Sequence, residues 1–185
     1  EQTNYYTSVG YLDQPGIVEK SGFNRITLRS NVSHSLSDWL TLGSNLQYSI
    51  RNHGEGGIVP SVSRAMIMSP YGKFKEDNGE YTFFPMYPET YFPSPFADDN
   101  ATVDDKRKRA LINLYTEIKP TFLPGLSYKL NYGANFQTNK NGTYYPTNSL
   151  TGSQYGGRAI VNERDIFHWT LENLLTYSTS FGDHS

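Results

Sequence analysis

Six times along this 185-residue chain, apolar and polar residues alternate with period two over stretches longer than an ordinary strand. In LSYKLNYGANFQT, the residues Leu126, Tyr128, Leu130, Tyr132, Ala134 and Phe136 are separated by Ser127, Lys129, Asn131, Gly133, Asn135 and Gln137. Successive strand residues point to opposite faces, so such a segment has one oily face and one wet face. The same division sets Ile26, Leu28, Val32 and Leu36 against Arg25, Thr27, Arg29, Asn31 and Ser33. It sets Leu40, Leu42, Leu46, Tyr48 and Ile50 against Thr41, Asn45, Gln47 and Ser49. It recurs in ALINLYTEI and FHWTLENLLTY and is weakest in NYYTSVGYL. The spacing predicts strands over 4–12, 23–36, 39–52, 106–119, 126–139 and 160–179, and all ten prolines fall outside them, as a hydrogen-bonded ladder requires.

The links between these strands alternate in length. SLSD (35–38), PTFLPG (120–125) and the terminal FGDHS read as tight turns, whereas 13–22, 53–105 and 140–159 are long. Short turns at one end and long loops at the other is the layout of an outer-membrane β-barrel. Composition agrees. Mean hydropathy is −0.60 and 36% of residues are hydrophobic, which is little for a large packed core, while 15 tyrosines supply amphipathic aromatics. The polar faces are rich in Asn, Gln, Thr and Ser, which suits a wet lumen. A soluble β-sandwich or barrel would show the same alternation, usually with shorter strands and more Val and Ile. The fold expected is all-β: an antiparallel transmembrane barrel segment of about six strands, with 1–185 forming part of one barrel domain.

Other functions are narrowed by the same composition. A net charge of −2 gives no reason to expect nucleic acid. Cysteine is absent, so disulfides and thiolate chemistry are excluded. The four histidines stand far apart without metal-ligand spacing, and no Ser/His/Asp arrangement stands out. Neither a cofactor nor an enzymatic role is expected. HGEGGIV (53–59) lacks the strand–loop–helix setting of a phosphate loop and reads as the start of a flexible loop. Asp98, Asp99, Asp104 and Asp105 raise the question of calcium, but no EF-hand pattern accompanies them, and a solvated acidic patch is the simpler reading. The basic run Lys106 to Arg109 that follows could meet lipopolysaccharide phosphates at an outer rim.

The loop 53–105 is the candidate functional element. YTFFPMYPETYFPSPF (81–96) sets Tyr81, Phe83, Phe84, Tyr87, Tyr91 and Phe92 among four prolines. Either the aromatics pack the loop against itself, or they contact a partner or stack on sugar rings. SVSRAMIMSP (61–70) is expected to form a short helix with Met66, Ile67 and Met68 buried against the same loop.

Two stretches carry a family resemblance. Tyr11-Leu12-Asp13-Gln14 with Gly16-Ile17, then Gly22-Phe23 with Arg25, Arg29 and Asn31, then Asp38-Trp39-Leu40 with Gly43 and Asn45, closely resemble the SusC/RagA class of TonB-dependent outer-membrane transporters of Bacteroidetes. ENLLTYSTSFGDHS (172–185) looks like the class's strand-to-turn segment before the next barrel strand. The resemblance is loose over 53–105. It implies a barrel of about 22 strands with an N-terminal plug. It also implies import of oligosaccharide or peptide cargo, a SusD-like surface lipoprotein as lid, and energy through TonB. Neither plug nor TonB-contacting segment is matched, so an internal piece from the earlier half of a barrel is expected. The alternatives are a soluble all-β carbohydrate-binding module using the aromatic loop as its platform, and an outer-membrane barrel of another kind, such as an adhesin or enzyme.

Overall fold

The computed structural model describes residues 2–53 and 56–179. It contains one six-stranded antiparallel sheet in simple sequence order. The strands are β1 (Thr3–Gln14), β2 (Phe23–Ser37), β3 (Leu40–His53), β4 (Thr102–Ile118), β5 (Leu126–Tyr145) and β6 (Arg158–Tyr177). Every expected strand is present, and β4, β5 and β6 extend further toward the long loops than the alternation indicated. Two short helices lie in those loops, α1 (Val62–Ile67) and α2 (Leu150–Ser153). No helix among the described residues is long and apolar enough to cross a membrane.

The turns explain the up-and-down order. Asp38 and Trp39 alone join β2 to β3, next to a register shift between Ser35 and Ser37. Residues 119–125 join β4 to β5. Gly125 closes that turn at φ +87, with Ser178 O only 2.0 Å from where a Cβ would stand, so no other residue fits there. The long links leave from the other end, as expected. The terminal turn read at 181–185 lies outside the described residues, as do 54 and 55 of the glycine-rich stretch.

Cross-strand register decides which side chains share a face. Val9, Leu28, Tyr48, Ala110, Phe136 and Phe167 form one continuous apolar row. Phe136 and Phe167 stack within it at 4.6 Å. The row beginning Tyr11, Ile26, Ile50 continues as Lys108, Thr138, Asp165, so the oily band crosses the sheet obliquely. Among the described residues nothing covers this face. Leu46, Tyr48, Leu114, Phe136, Trp169 and Leu171 are all exposed, and Ala134 is the one buried hydrophobic among the strand residues. The sheet holds together through its ladder, not through a core beneath it.

Candidate functional site

The long loops fold together into a cap. Asp98 links them: its carboxylate accepts hydrogen bonds from Thr151 N at 2.8 Å and Thr151 Oγ1 at 3.0 Å. Leu150 N donates to Ala97 O, and Asn100 Nδ2 donates to Asn148 O. Lys20, from the β1–β2 link, donates to the Asp99 carboxylate at 2.6 Å, with both side chains mostly buried. The cap's interior is made of small residues: Pro85, Pro95, Ala97, Ala101 and Gly152 are buried together with two serines, Ser94 and Ser149. Ser149 caps α2 by accepting from Gly152 N and donating to Pro146 O. Lys73 donates to Glu76 and lies near Asp77, which together hold its amine above the ordinary lysine range.

The structure divides the six candidate aromatics. Tyr81, Phe83 and Phe84 are half-buried in the cap. Tyr81 stacks on Phe96 at 4.5 Å, and the Lys75 ammonium lies 4.6 Å from its ring centre. These residues satisfy the packing alternative. Tyr87, Tyr91 and Phe92 do not: they are 81%, 88% and 48% exposed. Tyr91 N donates to the Glu89 carboxylate, fixing the backbone beneath them.

One expectation needs correction. The helix at 62–67 forms, with Ser61 as N-cap accepting from Arg64 N, but Met66 and Ile67 are exposed and only Met68 is half-buried. Six residues make less than two turns, and Ser61, whose N donates to Pro95 O, anchors the helix at its start. Ser61 and Arg64 line one hollow with Pro95 and Phe96, and the helix's other side chains are left exposed. The four aspartates do not assemble into a cation site. Each turns to a different partner: Asp98 to Thr151, Asp99 to Lys20, Asp104 to Lys106 and Asp105 to Arg107.

The sheet's second face carries what sequence reading missed. Its depressions lie there. A trough of about 650 Å³ is lined by Arg29, His168 and the asparagines Asn31, Asn45, Asn113 and Asn135, together with apolar groups such as Leu111 and Ile112, and three further hollows on the sheet open on that face. The sheet therefore curves with its wet side inward. Glu117 and Glu172 lie on this face, opposite Lys129 and Asn131. The basic run divides by parity. Lys106 and Lys108 share the oily face beyond its apolar band, whereas Arg107 and Arg109 face the trough. The alternation in DDKRKR was the available signal, and reading it as one patch concealed the split.

Comparison with known proteins follows this geometry. No family model matches the chain. Over its full length it is 27% identical to TonB-dependent receptor P3 of Formosa agariphila, of which it covers 19%. It is 27% identical over 99% of its length to TonB-dependent receptor P39 of the same organism, covering 17%. Among solved structures it matches the RagAB peptide transporter with TM-score 0.78 and 23% identity, over 99% of this chain and 21% of that one. The chain thus spans about a fifth of the length of the relatives it matches. The resemblance read from the sequence is borne out, and with it the sheet's identity as a segment of an outer-membrane β-barrel.

Proposed function

We propose, from a likeness to TonB-dependent receptors that runs the length of the chain, that this segment is part of the wall and cap of an outer-membrane importer of bulky nutrients, oligosaccharides or peptides. It has no enzymatic role. The observation that carries this reading is the two-faced, uncovered sheet. A soluble module must bury one face, whereas a barrel wall meets lipid outside and water inside. The dimensions fit. Phe167 to Tyr177 on β6 are ten residues apart (177 − 167 = 10), both on the oily face. Ten residues of strand span about 34 Å, and a tilt of about 40° reduces this to about 26 Å, close to the apolar band of such barrels.

Beyond the band the strands continue toward the cap, which stands at the cell surface. A SusD-like lipoprotein docks there, and TonB acts through a plug-bearing region N-terminal to this segment, while residues 1–185 belong to one barrel domain. The exposed Tyr87, Tyr91 and Phe92 are the contact residues for lid or cargo, because interface energy concentrates in aromatics that become buried on binding. Tyr81, Phe83 and Phe84 hold the loop in shape behind them. The test is the triple change Tyr87→Ser, Tyr91→Ser, Phe92→Ser in the complete transporter. At matched surface expression, lipoprotein co-purification and growth on the cognate nutrient should fall. Unchanged values in both would remove these residues from the contact surface.

A further inference from the structure

We infer that the wet face of the sheet carries a ladder of arginines that binds the acidic groups of an anionic oligosaccharide on its way through the lumen. This inference rests on the importer reading above. The register places Arg25, Arg51 and Arg107 directly opposite one another on three adjacent strands. The same row continues through Asn139 to Arg164 on β6. Neighbouring strands lie about 4.8 Å apart, so the four arginines are distributed over roughly 19 Å. Arg109 and Arg29 stand one and two rows closer to the turns.

Among the described residues the fold accounts for only part of this row. Like charges directly opposite across a ladder destabilise it. Among the described strand residues, the half of the wet face nearer the cap carries one acid, Asp105, which reaches Arg107 at 3.6 Å. The Arg51 Nε is buried without a hydrogen-bond partner, and its guanidinium lies 5.7 Å from the Phe23 ring centre. A hollow of about 390 Å³ opens at the β4–β6 end of the row, lined by Arg107, Arg164, Lys140 and three asparagines, along with the acids Asp105 and Glu163, so its cations outnumber its acids by three to two.

The residue types indicate the ligand. Guanidinium groups bind carboxylate and sulfate in two-point geometry, which ammonium groups cannot reproduce. On β4 the arginines occupy the wet positions and the lysines the oily ones. Beside the row the wet face is furnished with side-chain amides, Gln137, Asn139, Asn141 and Asn162, and further toward the turns with Asn31, Asn45 and Asn113. Each amide both donates and accepts, as a sugar hydroxyl does. Acidic groups spaced along a hydroxyl-rich chain match this surface better than those of an acidic peptide.

The experiment uses the complete transporter in detergent, titrated calorimetrically at low salt with tetragalacturonate, a neutral galactose tetramer and tetraglutamate. Wild type should bind tetragalacturonate, bind the neutral tetramer at least about tenfold more weakly, and lose affinity as salt rises. The pair Arg51→Gln, Arg107→Gln should weaken tetragalacturonate binding by about tenfold or more. The pair Lys106→Gln, Lys108→Gln removes equal charge from the same strand on the other face and should leave binding unchanged. The arginine pair should also raise the melting temperature, since a row kept for a ligand carries unrelieved repulsion. A lowered melting temperature would mark a structural row and overturn the inference. Equal loss in the lysine pair, or no binding of tetragalacturonate by wild type, would do the same. Tighter binding of tetraglutamate would overturn the sugar assignment. Lipoprotein co-purification is scored alongside: retained pairing with no anion binding sinks the ladder alone, whereas loss of both in wild type sinks the importer reading.

Discussion

The sheet and its cap are built on opposite plans. The sheet leaves its large apolar side chains uncovered and relies on a continuous ladder for cohesion. The cap hides small residues, Ser94, Ala97, Ala101 and Ser149, and relies on individual side-chain hydrogen bonds. One is made to contact two media at once and the other to keep a shape above them. Substitutions should therefore act by face in the sheet and by contact in the cap.

The sharpest test of that contrast is a pair of neighbours on β4. Leu114→Arg places a charge on the oily face and should cost about 2–4 kcal/mol of membrane stability. Asn113→Arg, one residue away, faces the trough and should assemble normally. Heat-modifiable gel mobility of the complete protein in outer-membrane fractions would show it. Equal tolerance would mean that the faces are wrongly assigned.

In the cap, Asp98→Ala should have the next largest effect, because it leaves Thr151 N and Oγ1 without their charged acceptor. The loss is about 1.5–3 kcal/mol of local stability. Limited proteolysis should then cut both 56–101 and 146–157 faster while the barrel keeps its heat-modifiable mobility. Cleavage confined to one loop would show that the two do not form one unit. Phe96→Ala removes the stack with Tyr81 and should cost about 0.5–1.5 kcal/mol beyond its lost area, read as faster cleavage near residue 81. Lys20→Met breaks the pair with Asp99. Its effect should be smallest, about 1 kcal/mol or less, and most apparent at low salt in cap proteolysis.

Much of the sheet was legible because period two is a local signal that sequence displays directly. The six strands, the alternation of short and long links and the division of faces all follow from it. Two things were not legible. Strand ends nearest the cap were missed because Thr102–Asp105 and Lys140–Tyr145 lack apolar alternation; there, pairing with a neighbour sustains the strand. The arginine row was missed because its members come from strands far apart in sequence. Arg25, Arg51, Arg107 and Arg164 meet only through register, which no single segment encodes. In the cap, an aromatic-rich sequence marked the loop as a unit but could not separate the packed Tyr81 from the exposed Tyr91. That depends on where Phe96 and Ser94 fold back.

The parity that sends Lys106 and Lys108 one way and Arg107 and Arg109 the other also constrains how this chain can change over generations. Inserting or deleting a single residue within β4 would exchange every inward group for an outward one downstream, presenting arginines to lipid and leucines to water. Length changes inside the strands are therefore tolerable only in pairs, or where a bulge absorbs the odd residue, as beside the Ser35–Ser37 shift at the turn. The links at 54–101 and 146–157 carry no such parity. Variation among descendants of this gene should accordingly collect there, leaving the wall nearly fixed in length while the cap above it is free to grow, shrink and be replaced.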